Sequence, residues 1–238
     1  MCLMESADDG KTWKIYDMPA GNQRIERRLI VLGGSAYITT VTTAGNTKVY
    51  RFNGKGFDPC NGDMLPGAEK LVRDNSTFWS WSTLEKPTIF QGRVVYIGAH
   101  HRVNFKEKDI AKMWPVYKTL GLFVAALSGP NGFRAERSLT EENMTDIAVD
   151  ENRCYVVSYR WTSATDPKQG AESTAYASSD LKQWSKLFSF HSDTFASAIE
   201  VIDGDFYLGL GGTRQFCTPL TGMILKVGKE ELKAPRPR

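Results

Sequence analysis

Apolar and polar residues alternate along this chain in short runs, and turn-forming clusters separate the runs. A period of two over four to eight residues marks a half-buried strand. It predicts strands over residues 29–32, 37–41, 88–90, 94–97, 121–127, 199–202, 206–210 and 223–227, all apolar and β-branched in character. Residues 146–149, 154–159, 174–177 and 184–190 add a further set of four, with a tight turn at 150–153 between the first two. Only 107–120 could hold a short helix, and Pro115 limits it.

These strands fall into a repeat. A glycine turn followed by a strand appears as Gly34-Ser35-Ala36-Tyr37 and again as Gly204-Asp205-Phe206-Tyr207. Asn152-Arg153-Cys154-Tyr155 and Gly92-Arg93-Val94-Val95 are weaker members. Their starts are 58, 60 and 52 residues apart (92 − 34, 152 − 92, 204 − 152). Phe133 stands 22 residues before Tyr155 (155 − 133), and Phe57 is its counterpart in the preceding unit. Short strands with turn signals suit a sandwich, barrel or propeller, and the repeated four-strand unit selects the propeller. The spacing exceeds the roughly 40 to 45 residues of a compact blade, so each unit carries loop insertions.

Residues Ser6-Ala7-Asp8-Asp9-Gly10-Lys11-Thr12-Trp13 read Ser-x-Asp-x-Gly-x-Thr-Trp. The Asp and hydroxyl side chains can bond the turn's own backbone, and Gly supplies a positive φ. A shorter copy, Ser178-Ser179-Asp180-Leu181-Lys182-Gln183-Trp184, lacks the Gly. Trp13 precedes Tyr37 by 24 residues (37 − 13), and Trp184 precedes Tyr207 by 23 (207 − 184), so each turn keeps its distance from the repeated strand. The pattern resembles the Asp-box (BNR) hairpin of sialidase-like β-propellers, and the shorter copy also resembles hairpins of five-bladed glycosidase propellers. The resemblance implies an all-β propeller in which the Trp residues plug gaps between sheets.

Counting back from Gly34 leaves residues 2–18 as only the outer two strands of a blade, while 197–227 supply three strands before a polar tail. The expected organisation is one propeller domain over 1–228 and a tail over 229–238. Five blades with incomplete terminal ones are expected; four blades, or six with missing N-terminal sequence, are the alternatives. Either the terminal segments close the ring on each other, or a missing N-terminal segment or a protein partner completes it, because bare sheet edges must be covered.

Composition narrows the function classes. With 30 basic and 27 acidic residues the net charge is +3, which gives no electrostatic case for nucleic acid. Cys2, Cys60, Cys154 and Cys217 have no zinc spacing, and no stretch approaches the roughly 18 apolar residues of a membrane helix. The start, Met1-Cys2-Leu3-Met4-Glu5-Ser6, lacks the basic and apolar run of a secretory leader, so an extracellular or periplasmic location would require an upstream one. No Walker loop or GxGxxG is present, so no nucleotide or redox cofactor is expected.

Propeller topology, as the resemblance implies it, directs attention to connections between second and third strands: 100–120, 160–173 and 211–221. They carry His100, His101 and Arg102, with Trp114 and Tyr117; then Arg160 and Trp161; then Arg214 and Phe216. Aromatic rings stack on sugar faces and Arg binds carboxylates in a bidentate fork, so an acidic or neutral glycan is the expected ligand. Alternatively Trp161 and Phe216 plug loops onto sheets and the arginines pair with nearby acids. Adjacent histidines on a strand face opposite ways, which argues against joint metal ligation.

Glu85, Asp146 and Asp193 precede or open first strands of successive units, and Glu200 lies within one. Acids converging on a channel could supply an acid, a base or nucleophile, and an orienting group for glycoside cleavage. The alternative is a set of acids bonded to backbone and solvent. Active sialidases use an arginine triad, an Arg-Ile-Pro motif and a Tyr-Glu pair; Arg24-Ile25-Glu26 is no equivalent, so sialidase activity is not expected. Two classes remain: a glycoside hydrolase-like enzyme, or a non-catalytic propeller that binds a glycan or a protein.

Overall fold

The computed structural model describes residues 2–17, 24–41, 47–68, 78–104, 116–129, 131–163, 166–212 and 217–233. Five antiparallel sheets follow one another along the chain. The first is the hairpin β1 (Cys2–Glu5) and β2 (Lys14–Asp17). The second holds β3 (Arg24–Leu32), β4 (Ser35–Val41), β5 (Thr47–Phe52) and β6 (Phe57–Pro59). The third holds β7 (Phe78–Phe90), β8 (Arg93–Asn104), β9 (Val116–Leu127) and β10 (Phe133–Leu139). The fourth holds β11 (Met144–Val149), β12 (Cys154–Trp161), β13 (Ala171–Ser178) and β14 (Ser185–Ser192). The fifth holds β15 (Phe195–Ile202), β16 (Asp205–Gly211) and β17 (Ile224–Val227). A short helix, α1 (Lys229–Lys233), caps this sheet, its Lys229 amide donating to Asp205 Oδ1 at 3.0 Å.

Every sheet is a simple up-and-down meander, and the chain's first strand in one sheet packs on that of the next: β3 on β7, β7 on β11, β11 on β15. Radial repetition of this kind is a β-propeller. Apolar side chains on facing sheets fill the seams. Ile30, Leu32 and Tyr37 meet Tyr96, Phe123 and Phe133 between the second and third sheets. Val95, Ile97 and Leu122 meet Cys154 and Val156 in the next seam, and Tyr155 and Val157 meet Phe206 and Leu208 in the last.

The wall of the seam between the second and third sheets includes residues 60–68, where Met64 and Leu65 are buried and the Tyr96 hydroxyl donates to the Met64 carbonyl. Here Gly62 has φ 105°, and a Cβ would lie 2.0 Å from the Phe133 carbonyl oxygen, so the close approach of this segment requires glycine.

The two like-built turns differ in detail. Ser6 Oγ accepts from the Gly10 amide (2.8 Å), and Asp8 accepts from the Thr12 amide (2.8 Å) and hydroxyl (2.6 Å). In the second turn Ser178 Oγ accepts from the Leu181 amide (2.9 Å) and Asp180 from the amides of Lys182 and Gln183 (both 2.8 Å). Leu181 takes φ 62°, as Asp9 (56°) and Gly10 (84°) take positive φ in the longer turn, and its buried side chain compensates for that conformation. Trp184 reaches the neighbouring sheet, donating to Ser138 Oγ at 2.9 Å. Trp13 does not plug a seam in this way: its indole N–H is taken by the Gly10 carbonyl of its own turn (3.0 Å), and the residue is 53% exposed.

The strands run longer than their alternation suggests. Residues 116–120 are not helical but extend β9, with 116–119 held opposite 99–102 of β8, and 105–115 lie outside the described residues. Likewise 78–87 belong to β7. No helix among the described residues is long and apolar enough to cross a membrane.

Candidate functional site at the inner strands

In each of the four sheets of three or more strands the first strand carries a register shift: between Arg24 and Arg28, Glu85 and Thr88, Met144 and Asp146, and Ala196 and Ala198. A bulge bends the strand and re-aims side chains. Polar groups beside these irregularities reach across to the next sheet. Arg28 pairs with Glu85 Oε2, and Lys86 Nζ lies 3.4 Å from Asp146 Oδ1. Thr145 Oγ1 donates to the Ala196 carbonyl (2.8 Å), and the Ile199 amide donates to Asp146 Oδ2 (3.1 Å). Arg28 and Lys86 occupy matching places, each four residues before the last residue of its strand (32 − 28, 90 − 86).

Charge in this cluster is layered. The Glu85 and Asp146 side chains are each 16% exposed, whereas those of Arg28 and Lys86 are 42% and 51% exposed. The carboxylates therefore lie beneath and the cations toward solvent. Glu85 Oε1 also accepts from Thr83 Oγ1 (2.8 Å), and His101 Nε2 lies 3.0 Å from that hydroxyl and 3.9 Å from Glu85 Oε1. Burial holds the His101 pKa below its ordinary value, opposed by the Glu85 charge and reinforced by His100. A neutral imidazole at pH 7 follows.

His100 and His101 are not in a loop; both lie in β8, opposite Ser82 and Trp81. Ser82 Oγ is 3.1 Å from His100 Nδ1, while Thr83, the next residue, meets His101, as alternation of faces requires. Ser82 also lines a cavity of about 400 Å³ between the second and third sheets, walled by Thr47, Tyr50, Cys60, Asn61 and Asp63. That is within the range of small-ligand pockets, roughly 300 to 1,000 Å³.

The remaining expected residues are spread out. Glu85 lies well inside β7 rather than ahead of it, and Asp146 lies in β11. Asp193 is exposed in the turn between β14 and β15, and Glu200 is exposed on β15, its Oε1 accepting from the Val201 amide (3.1 Å). Arg160 and Trp161 end β12 rather than opening a loop, paired with Glu172 and Ala171. Arg160 makes an exposed ion pair with Glu142 (3.4 Å), and Trp161 packs edge-on against Tyr159 and Phe195. Arg102 is in β8; its side chain, and all of Arg214, lie outside the described residues.

Arg28, Lys86, Thr83 and Thr145 were not expected here. The available signal was the charged segment Arg24-Ile25-Glu26-Arg27-Arg28 before an apolar strand, and Lys86 beside Pro87, both of which interrupt alternation. Groups of three or more His, Cys, Asp or Glu able to hold a metal ion do not occur among the described residues.

No family model matches this chain, and no curated protein matches its sequence. Solved structures do resemble it at low identity. The α-L-arabinofuranosidase CtGH43 from Clostridium thermocellum is 9% identical, with 94% of this chain and 77% of that one covered and a TM-score of 0.36. An exo-1,5-α-L-arabinanase from a bovine ruminal metagenomic library is 8% identical, covering 84% and 90%, with a TM-score of 0.26. The WD40 domain of SCAP from fission yeast is 10% identical, covering 78% and 56%, also at 0.26.

Proposed function

We propose that residues 1–228 form one glycan-recognising propeller of the sialidase-like, Asp-box type, and that the ligand meets it at Arg28, Lys86, Glu85, Asp146 and His101. Sugar hydroxyls both donate and accept, and this cluster offers cations, carboxylates, hydroxyls and an imidazole side by side. Recognition is favoured over hydrolysis by one observation. All four carboxylate oxygens of Glu85 and Asp146 are already engaged, by Arg28, Thr83, Lys86 and the Ile199 amide. A general acid must present a proton to the leaving group, and an oxygen held in a cross-sheet tie is poorly placed to do so.

A hydrolase would use the same two carboxylates, on the inner strands of adjacent sheets, as acid and base or nucleophile, with Asp193 or Glu200 as a third group. A glycan array and a panel of aryl glycosides separate the two. Wild-type protein is expected to bind without turnover, and Arg28→Ala to weaken binding about tenfold or more, the loss of a charge-assisted contact. Wild-type turnover that disappears in both Glu85→Gln and Asp146→Asn would replace recognition by catalysis, and no retention on any glycan would remove both.

A further inference from the structure

Toward its outer strands the third sheet borders a cleft of about 330 Å³, lined by Arg93, Val124, Ala126, Arg134, Glu136 and Lys182, none of which belongs to the inner-strand cluster. Strand register places five of them. Ala126 is opposite Arg134, and Arg93 precedes Val94, which is opposite Ala125, so Arg93, Ala126 and Arg134 form a row across β8, β9 and β10. Val95, Val124 and Glu136 form a second row two residues along, on the same face. That face is turned toward the fourth sheet, since Val95 and Val124 share a cluster with Cys154 and Val156.

Lys182 comes from the fourth sheet, on the turn between β13 and β14. This turn is docked on the third sheet: Gln91 Nε2 donates to the Ser179 carbonyl (2.9 Å), Ser138 Oγ donates to that of Leu181, and Ser138 Oγ accepts from Trp184. Three cations and one carboxylate therefore border a floor of valine and alanine, a net charge of +2 (3 − 1). Among the described residues no ion pair or side-chain hydrogen bond engages Arg93, Arg134, Lys182 or Glu136. The fourth sheet differs at the matching place. There Arg153 follows its turn as Arg93 does, but Asp150 accepts from its amide (2.7 Å), whereas Phe90 stands in that acid's position before Arg93.

We infer that this cleft binds a small phosphate monoester, with the phosphate between Arg93, Arg134 and Lys182 and the apolar face of the organic part on Val124 and Ala126. Guanidinium forks match paired phosphate oxygens, and the ammonium adds a point charge. A phosphate monoester carries about −1.5 to −2 at pH 7, which balances the cleft, while a sulfate ester or a carboxylate brings a single charge. The inference is independent of the function proposed for the inner strands, because the two sites share no residue.

Titration of glucose 6-phosphate into the whole chain, followed by NMR at the Val124 and Ala126 methyls, tests it. Saturable shifts at both are expected, with glucose 6-sulfate bound severalfold more weakly and glucose not at all. Arg93→Ala with Arg134→Ala is expected to weaken binding about tenfold or more, and Glu136→Gln, which removes a like charge beside the anion, to strengthen it. These side chains are not buried, so both variants should keep the wild-type amide spectrum. No saturable shift at millimolar glucose 6-phosphate overturns the inference. Binding that the double variant leaves unchanged, or that is as tight for the sulfate as for the phosphate, overturns it as well.

Discussion

His101 and Cys154 show how burial leads in setting side-chain chemistry in this molecule. His101 titrates below its ordinary value, so between that value and its lowered one the unfolded chain binds the proton and the native state does not. Stability from this group is complete above pH about 6.5 and falls as the pH drops below it. An NMR titration is expected to place His101 below the reference, and Glu85→Gln to lower it further, because the carboxylate is the opposing influence. An unmoved or raised value in the variant would show that the 3.9 Å contact has no electrostatic role. The Cys154 thiol, pushed up to about 12 by burial, should resist alkylation in native protein, whereas exposed Cys217 reacts; mass spectrometry after brief iodoacetamide treatment distinguishes them.

Elements are fixed by turns and by what the strands face. Asp8 and Asp180 have lowered pKa values, the first chiefly through the Thr12 hydroxyl and the second through the Gln183 amide. Both turns should therefore hold at neutral pH and loosen only as the pH falls below the ordinary Asp value toward the lowered ones, seen as faster exchange at the Thr12 and Gln183 amides. Leu181 tests the balance between strain and packing. Replacing it with Gly relieves a left-handed conformation worth roughly 1 to 2 kcal/mol but removes a buried side chain worth about 1.5 to 3. A net loss of about 1 kcal/mol in urea unfolding is expected, and a gain would mean that conformation dominates. Alternation located the central parts of most strands, because those residues have one apolar face. It missed 78–87 and 116–120, where Ser80, Ser82 and Thr83 are buried polar residues and the inward face gives no apolar period.

In the molecule as a whole, polar ties from sheet to sheet supplement the apolar seams. Removing one partner leaves a largely buried charge uncompensated, which costs more than removing both. Arg28→Ala is expected to destabilise by about 1 to 2 kcal/mol, discounted for the half-exposed guanidinium, and added Glu85→Gln to recover part of it. Strict additivity in that double-mutant cycle would show the pair to be energetically idle. The repeat, the two Ser-x-Asp turns and the strand-rich architecture were legible in the sequence because backbone turns and face alternation are decided by residues a few positions apart. The cluster at the inner strands was not. Arg28 and Glu85 are 57 positions apart, and only the packing of successive sheets, with strand irregularities that re-aim their side chains, brings them together.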